Sequence, residues 1–265
     1  MALKVGIVGC GNIGLELARF VHQHRAFAIH AVSDVEPEPI RWLLIEIQPN
    51  QFETLDPADL VDAVDLIVET ANKEVAGALL AHPRLDVPGK KFFLLSTSAL
   101  LDNSDRVKQF KHCEVFLPSG AIAGLDAIKA VAERISSLTL TTTKPPAGLA
   151  GAPYVVETGI DLAGLSSART IFSGGLADAV RGFPKNVNVA ATLFVASGFE
   201  DLQVKVIADP AATSNKHEVV CEGDFGKITI RAENKPSANP KTSMLAILSA
   251  KRTLAGIVET IHAGT

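Results

Sequence analysis

Three cysteines in 265 residues, Cys10, Cys113 and Cys221, form no CxxC pair and no cluster with metal-ligand spacing. A disulfide framework and a cysteine-built metal site are therefore not expected, and a reduced, cytoplasmic protein is the economical expectation. His112 adjoins Cys113, but neighbours along a strand point to opposite faces, so the two make a poor nucleophile–base pair. No apolar run approaches the roughly 20 residues that a membrane-spanning helix needs. The first residues lead straight into a strand-like segment where a signal peptide would show a longer apolar stretch. A net charge of −4 offers no footprint for nucleic acid or an anionic membrane. Internal repeats, low-complexity tails and charge blocks are also missing. What is left, 47% hydrophobic and 20% charged, is the composition of a globular chain with ample core material. Its length allows one large domain or two smaller ones.

The most informative stretch lies at the start. Leu3 to Val8 is an apolar run of strand length, followed at once by Gly9-Cys10-Gly11-Asn12-Ile13-Gly14. A segment with helical periodicity then opens, with Ile13, Leu17, Phe20 and Val21 on one face. Strand, glycine turn and helix together are the context that gives GxGxxG its meaning as a dinucleotide-binding turn. Gly9 allows the tight turn, Gly11 lets the backbone approach a pyrophosphate, and Gly14 allows helix and strand to pack closely. The amide end of the helix, beginning with Asn12 and Ile13, then faces the phosphates. An ordinary glycine-rich connection is the alternative. A second strand, Phe27 to Ser33, ends at Asp34. That is close to the separation of roughly 20 residues expected for a carboxylate on the adenosine ribose. Such a carboxylate repels a 2′-phosphate, so NAD is expected over NADP. The plain alternative is that Asp34 caps the following turn.

Further on, apolar runs and helical patterns alternate: a helix over 36–47, a short helix over 57–61, a strand at 64–69, a helix at 74–81, a strand at 91–95, a helix at 102–111 and a strand at 114–117. This predicts an α/β fold with a doubly wound parallel (Rossmann) sheet. The pattern changes at Pro118-Ser119-Gly120. A helix over 121–135 is followed by period-two alternation at 138–143 and by strands at 202–208, 217–222 and 227–232, which indicates a second, mixed α/β domain. Residues 241 to about 262 read as a long helix whose stripe of Leu245, Leu248, Leu254, Ile257, Val258 and Ile261 needs burial. The expected organisation is a dinucleotide-binding domain over 1–119, a catalytic, substrate and dimerisation domain over 120–239, and a C-terminal helix over 240–265 packing back on the first domain.

Polar clusters stand out in the second half, around Lys185 and Asn188, around Asp209 and His217, and from Asn234 to Ser243. Without further context Asn188 reads as a helix cap and His217 as an exposed strand residue. The sequence carries GCGNIG near the start, LPSGAIAGLDA at 117–127, KNVNVAATL at 185–193, ADP with His217 downstream, and NPKTS at 239–243, in that order. In these motifs it resembles the L-aspartate dehydrogenase family, whose members form iminoaspartate for pyridine nucleotide synthesis. The resemblance covers nearly the whole chain. It implies a Rossmann domain joined to a mixed α/β catalytic domain, cofactor-binding positions at Ala121 and Asn188, an active-site histidine at His217, and assembly as a homodimer. Two segments differ from the commoner family patterns, 69–74 and Ser96-Thr97-Ser98.

The implied chemistry moves a hydride from the α-carbon of a small amino acid to nicotinamide, so the amine must be neutral and held near the ring. A histidine titrating near neutrality can take the proton or activate the water that attacks the imine. The substrate carboxylates need cations or hydroxyls. Lys241, Thr242 and Ser243 offer these at the start of the last helix, with Lys185 as a further candidate. Plain helix capping is the competing role for 241–243. Two other readings are a reductase of the homoserine dehydrogenase or dihydrodipicolinate reductase type, and a non-catalytic NAD-binding sensor.

Overall fold

A computed structural model describes residues 2–48, 52–184, 187–237 and 242–261. Among these, the chain divides into two compact units, one of residues 2–118 with 247–261, the other of residues 119–246.

In the first unit, β1 (Leu3–Val8), β2 (Phe27–Ser33), β3 (Glu53–Thr54), β4 (Leu66–Glu69), β5 (Lys91–Leu94) and β6 (Glu114–Phe116) form a sheet in the order β3-β2-β1-β4-β5-β6, with every pair parallel. The crossovers are α1 (Asn12–Gln23), α2 (Pro37–Glu46), α3 (Pro57–Ala63), α4 (Lys73–Leu80) and α5 (Ala99–Val107). The central strands read as continuous apolar runs because both faces are covered. Val5, Ile7, Leu66 and Val68 pack with Leu17, Val21 and Leu43 on one face, while Val8, Ile67 and Phe92 pack with Leu60 and Leu79 on the other. Strand order reverses between β1 and β4, so the carboxyl ends of these two strands border the crevice where such sheets take ligands. Two details depart from expectation. Strand β3 is two exposed residues with no apolar signal of its own. Helix α5 starts at Ala99, not at residue 102, because Ala99 and Leu100 are drawn into the core.

The second unit is built on β7 (Ile135–Lys144), β8 (Arg169–Gly175), β9 (Gln203–Ala208), β10 (Lys216–Gly223) and β11 (Gly226–Glu233), in the order β11-β10-β7-β9-β8. The pair β7–β9 is parallel and the others antiparallel, so the sheet is mixed. Side chains alternate along each strand. Leu138 and Leu140, Val204 and Val206, and Val219 and Cys221 form one apolar face. That face is covered by α6 (Leu125–Ala130), α7 (Pro153–Thr158), α8 (Leu176–Gly182) and α9 (Asn188–Ser197). The helix expected over 121–135 is shorter: the chain turns through Gly124, α6 runs from Leu125 to Ala130, and a single 3₁₀ turn at Ala132–Arg134 leads into β7. Strands β9 and β10 follow each other in sequence but do not pair, since β7 lies between them.

The last helix, α10 (Met244–Gly256), is shorter than the stretch expected to reach residue 262, and the expected stripe is partly wrong. Leu248 is 54% exposed and Ile261 80% exposed. The buried residues are instead Ile247, Ala250, Leu254 and Ala255. Ala250 and Leu254 join the core around Val5 and Leu17, with Ile257 and Val258 at its edge, so the C-terminal helix packs on the first unit. Alanines on the contact face let the helix axis lie close to its neighbours, and a search for large residues overlooks them.

Candidate functional site

The turn after β1 is held by contacts that leave one side open. Gly9 has φ +91°, and a Cβ there would lie 2.7 Å from Ala71 N at the end of β4. A Cβ on Gly14 would lie 1.9 Å from the Gly9 carbonyl oxygen, so α1 packs against the turn only because residue 14 is glycine. Gly11 differs, because a Cβ there would meet nothing within 4 Å. Helix α1 carries neither a side-chain cap nor an acidic residue in its first turn, and its amide end suits an anion.

Asp34, just past β2, accepts hydrogen bonds from Cys10 N at 2.6 Å and from Glu36 N at 2.9 Å. The carboxylate thus stands beside the glycine turn and also shapes the turn that follows it, the plainer of the two roles considered from the sequence. Burial, with Asp34 nearby, pushes the Cys10 thiol up to about 12 and keeps it inert. Thr70 Oγ1 donates to the Gly9 carbonyl at 2.5 Å. Glu69, fully buried at the end of β4, accepts from Ala71 N (2.8 Å), Ser96 N (2.9 Å) and Ser96 Oγ (2.8 Å). Burial raises its carboxyl pKa against the opposing pull of these donors. Segments 69–74 and 96–98 are therefore joined by one buried carboxylate at the carboxyl end of β4. An open Gly11, a helix end without a side-chain cap and a carboxylate at the neighbouring strand end are of a kind that fits a dinucleotide.

In the second unit the helix-covered sheet face turns polar at one end. Along β7, Leu138 and Leu140 are succeeded on the same face by Thr142 and Lys144. Along β10, Cys221 and Val219 give way to His217, which pairs in register with Thr142 on one side and Ala232 on the other. Asn234 N donates to Asn215 O, which continues the β10–β11 pairing and puts Asn234 on this face, diagonal to His217. Lys144, Thr142, His217 and Asn234 thus form a polar row across three adjacent strands.

His217 is only 4% exposed, so the reading of it as an exposed strand residue is corrected. Its Nδ1 lies 3.1 Å from Thr142 Oγ1. Burial, and secondarily the charge of Lys144, lower its pKa to about 4, in place of the near-neutral value expected from sequence. The imidazole is neutral at pH 7. Lys144 is itself lowered to about 8 by burial.

Of the remaining candidates, the half-buried Ala121 offers its carbonyl to Asn234 Nδ2 at 3.0 Å. Asn234 is buried, and its Oδ1 is the buried side-chain polar atom without a hydrogen-bond partner among the described residues. Asn188 is exposed at the first residue of α9, and its carbonyl accepts from Thr192 Oγ1 at 2.8 Å. Ser243 Oγ accepts from Ala246 N at 3.1 Å, so the capping role holds for Ser243. Thr242 O accepts from Ser237 N at 2.8 Å on the facing segment. Lys185 and Lys241 lie outside the described residues. Sequence reasoning missed Thr142 and Lys144, and marked Asn234 only as the start of a polar cluster. The alternation Leu138-Leu140-Thr142-Lys144 was a readable signal for the first two, whereas the alignment with His217 depends on cross-strand register. Among the described residues no helix is long and apolar enough to cross a membrane.

The comparisons with known proteins agree with each other. The family described as aspartate dehydrogenase, C-terminal, matches residues 126–257. The chain is 42% identical over 272 residues to the L-aspartate dehydrogenase of Methanosarcina acetivorans, covering 99% of this chain and 100% of that one. It is 35% identical over 265 residues to that of Nitrosopumilus maritimus, covering 95% of each. Among solved structures, aspartate dehydrogenase from Thermotoga maritima superposes with a TM-score of 0.72 at 28% identity over the full length of both chains. A myo-inositol dehydrogenase from Lactobacillus casei, solved with NAD(H) and myo-inositol, shares the fold with a TM-score of 0.58 at 11% identity, over 92% of this chain and 79% of that one.

Proposed function

Because the chain belongs to the L-aspartate dehydrogenase family, we propose as its function the NAD-dependent oxidation of L-aspartate to iminoaspartate, with His217 as the acid/base group. The observation that carries this reading is the buried, neutral His217 within a polar row at the end of a face that is otherwise apolar. Thr142 alone would satisfy the ring of a histidine that merely fills a core; a lysine on the same face and a buried asparagine whose Oδ1 has no partner among the described residues are more than such a histidine needs.

The residues divide the work. Gly9 and Gly14 fix the turn, the backbone from Gly11 through Ile13 receives the pyrophosphate, and the Asp34 carboxylate receives ribose hydroxyls and repels a 2′-phosphate, which favours NAD over NADP. Ala121, its carbonyl held by Asn234, and Asn188 at the start of α9 remain proposed cofactor contacts. The bound dinucleotide supplies hydride acceptance at its nicotinamide ring. Oxidation requires the substrate amine to give up a proton, and the neutral imidazole has a nitrogen free of a proton to accept it; burial makes the ring a weak base, which a carboxylate brought beside it strengthens. Base chemistry at Nε2 requires the tautomer in which Nδ1–H donates to Thr142 Oγ1. Thr142 therefore orients the ring. The proton taken from the amine leaves His217 for solvent before the next turnover. Lys185, Lys241, Thr242 and Ser243 remain proposed substrate contacts.

We place the protein in the cytoplasm as a homodimer. The five-stranded sheet supports dimerisation, because its second face, carrying Thr139, Thr141 and Glu218, is only partly buried. The test of the function is an NADH-formation assay over a panel of amino acids. Aspartate is expected to give the highest kcat/KM, with NAD preferred to NADP. Preference for another amino acid would overturn the substrate assignment.

A further inference from the structure

Lys144 has no task in the reaction as described, yet its position is unusual. It is the last residue of β7, two after Thr142, and so shares the face on which His217 stands. It is half-buried and shares the lining of a small cavity, of about 10 Å³, with Leu140, Phe183, Ala190 and Val206. Burial strips part of the ammonium group's hydration and disfavours its charge. Its charge reaches His217, whose ring it disfavours as a cation. Lys144 stays mainly protonated at neutral pH, since burial takes it to about 8 and no further.

We propose that Lys144 is a substrate-binding residue, its ammonium group receiving one carboxylate of the amino dicarboxylate whose amine His217 deprotonates. The proposal rests on the assignment of aspartate oxidation to the His217 site. The geometry matches the task. The reacting amine and a carboxylate belong to one small molecule, and the polar row sets a proton acceptor and a cation side by side on adjacent strands. Every other position bordering the row on β7 and β9 is apolar, as with Leu140, Val204 and Val206, so a carboxylate entering this face finds its cation at Lys144. A positive charge here also keeps His217 neutral until the anion arrives.

The test compares wild type with Lys144→Met and Lys144→Arg in steady-state assays on aspartate and asparagine, with NADH affinity measured by fluorescence titration. Loss of a buried charged partner is expected to raise KM for aspartate by on the order of 10²-fold. NADH affinity should stay within twofold, and Lys144→Arg should recover part of the loss. If Lys144→Met affects aspartate alone, the bound carboxylate is the distal one; if asparagine suffers equally, it is the α-carboxylate, and both results support the proposal. Should Lys144→Met melt below the assay temperature, Lys144→Gln replaces it in the same comparison. A folded neutral variant with unchanged KM for aspartate, or one whose loss lies in NADH affinity, overturns the proposal alone. Absence of aspartate turnover by wild type overturns the functional reading and the proposal together.

Discussion

At the scale of single residues, burial decides the chemistry. His217 would be an ordinary histidine on an exposed strand, and it becomes a neutral base because helices cover its face. This leaves a signature in stability. Its pKa is 6.5 in an ordinary setting and about 4 in the folded protein, so between these values the unfolded chain holds the extra proton. Stability from this residue is complete above about pH 6.5 and is lost as pH falls toward 4, by up to about 3 kcal/mol. His217→Gln should flatten the dependence of melting temperature on pH in that window, and equal slopes for the two proteins would show that the ring is not buried neutral. Asp34 is the residue proposed to meet the cofactor's ribose. Asp34→Asn keeps an oxygen to accept from Cys10 N but loses the charge, so competitive titration should show a reduced preference for NAD over NADP. A preference unchanged by the substitution would remove the carboxylate from the ribose site. Both residues were singled out in the sequence, Asp34 by its spacing from the glycine turn and His217 by the family resemblance. The pKa of His217 was not legible there, because desolvation is set by side chains that come together only when the sheet and its covering helices fold.

At the scale of elements, the glycine turn shows how packing and binding share a few residues. Gly14→Ala forces a Cβ against the Gly9 carbonyl, while Gly11→Ala enters open space. Gly14→Ala is therefore expected to lose roughly 1–3 kcal/mol of stability together with NADH affinity. Gly11→Ala should melt like wild type and still lose NADH affinity, because its methyl group stands where the pyrophosphate approaches. Melting curves and NADH fluorescence titrations separate the two, and undiminished NADH binding by Gly11→Ala would contradict the placement of the phosphates. Most strands were readable because period-two alternation and continuous apolar runs are local signals. Others gave no such signal. Strand β3 has two exposed residues, and β8 ends in two glycines and gains its place by pairing with β9. The stripe of α10 was misread because Ala250 and Ala255, not Leu248, carry its contact face. The polar row lay between these extremes. Its β7 half follows from counting by twos, but its junction with β10 is a register between residues 75 apart in sequence.

At the scale of the whole molecule, one chain supplies two kinds of site from two kinds of sheet. The parallel sheet offers strand ends and a helix terminus for a dinucleotide, and the mixed sheet offers a face whose last row is polar. Light scattering at micromolar concentration is expected to return twice the mass of the 27.9 kDa chain, and a monomer would count against the proposed dimer. The central claim, that His217 performs proton transfer in aspartate oxidation, is tested most directly by comparing His217→Ala with wild type for kcat on aspartate, alongside NADH affinity and a thermal melt. The account predicts a folded variant with NADH affinity near that of wild type and kcat lowered roughly 10²–10⁴-fold. A folded variant that turns aspartate over at the wild-type rate would contradict it.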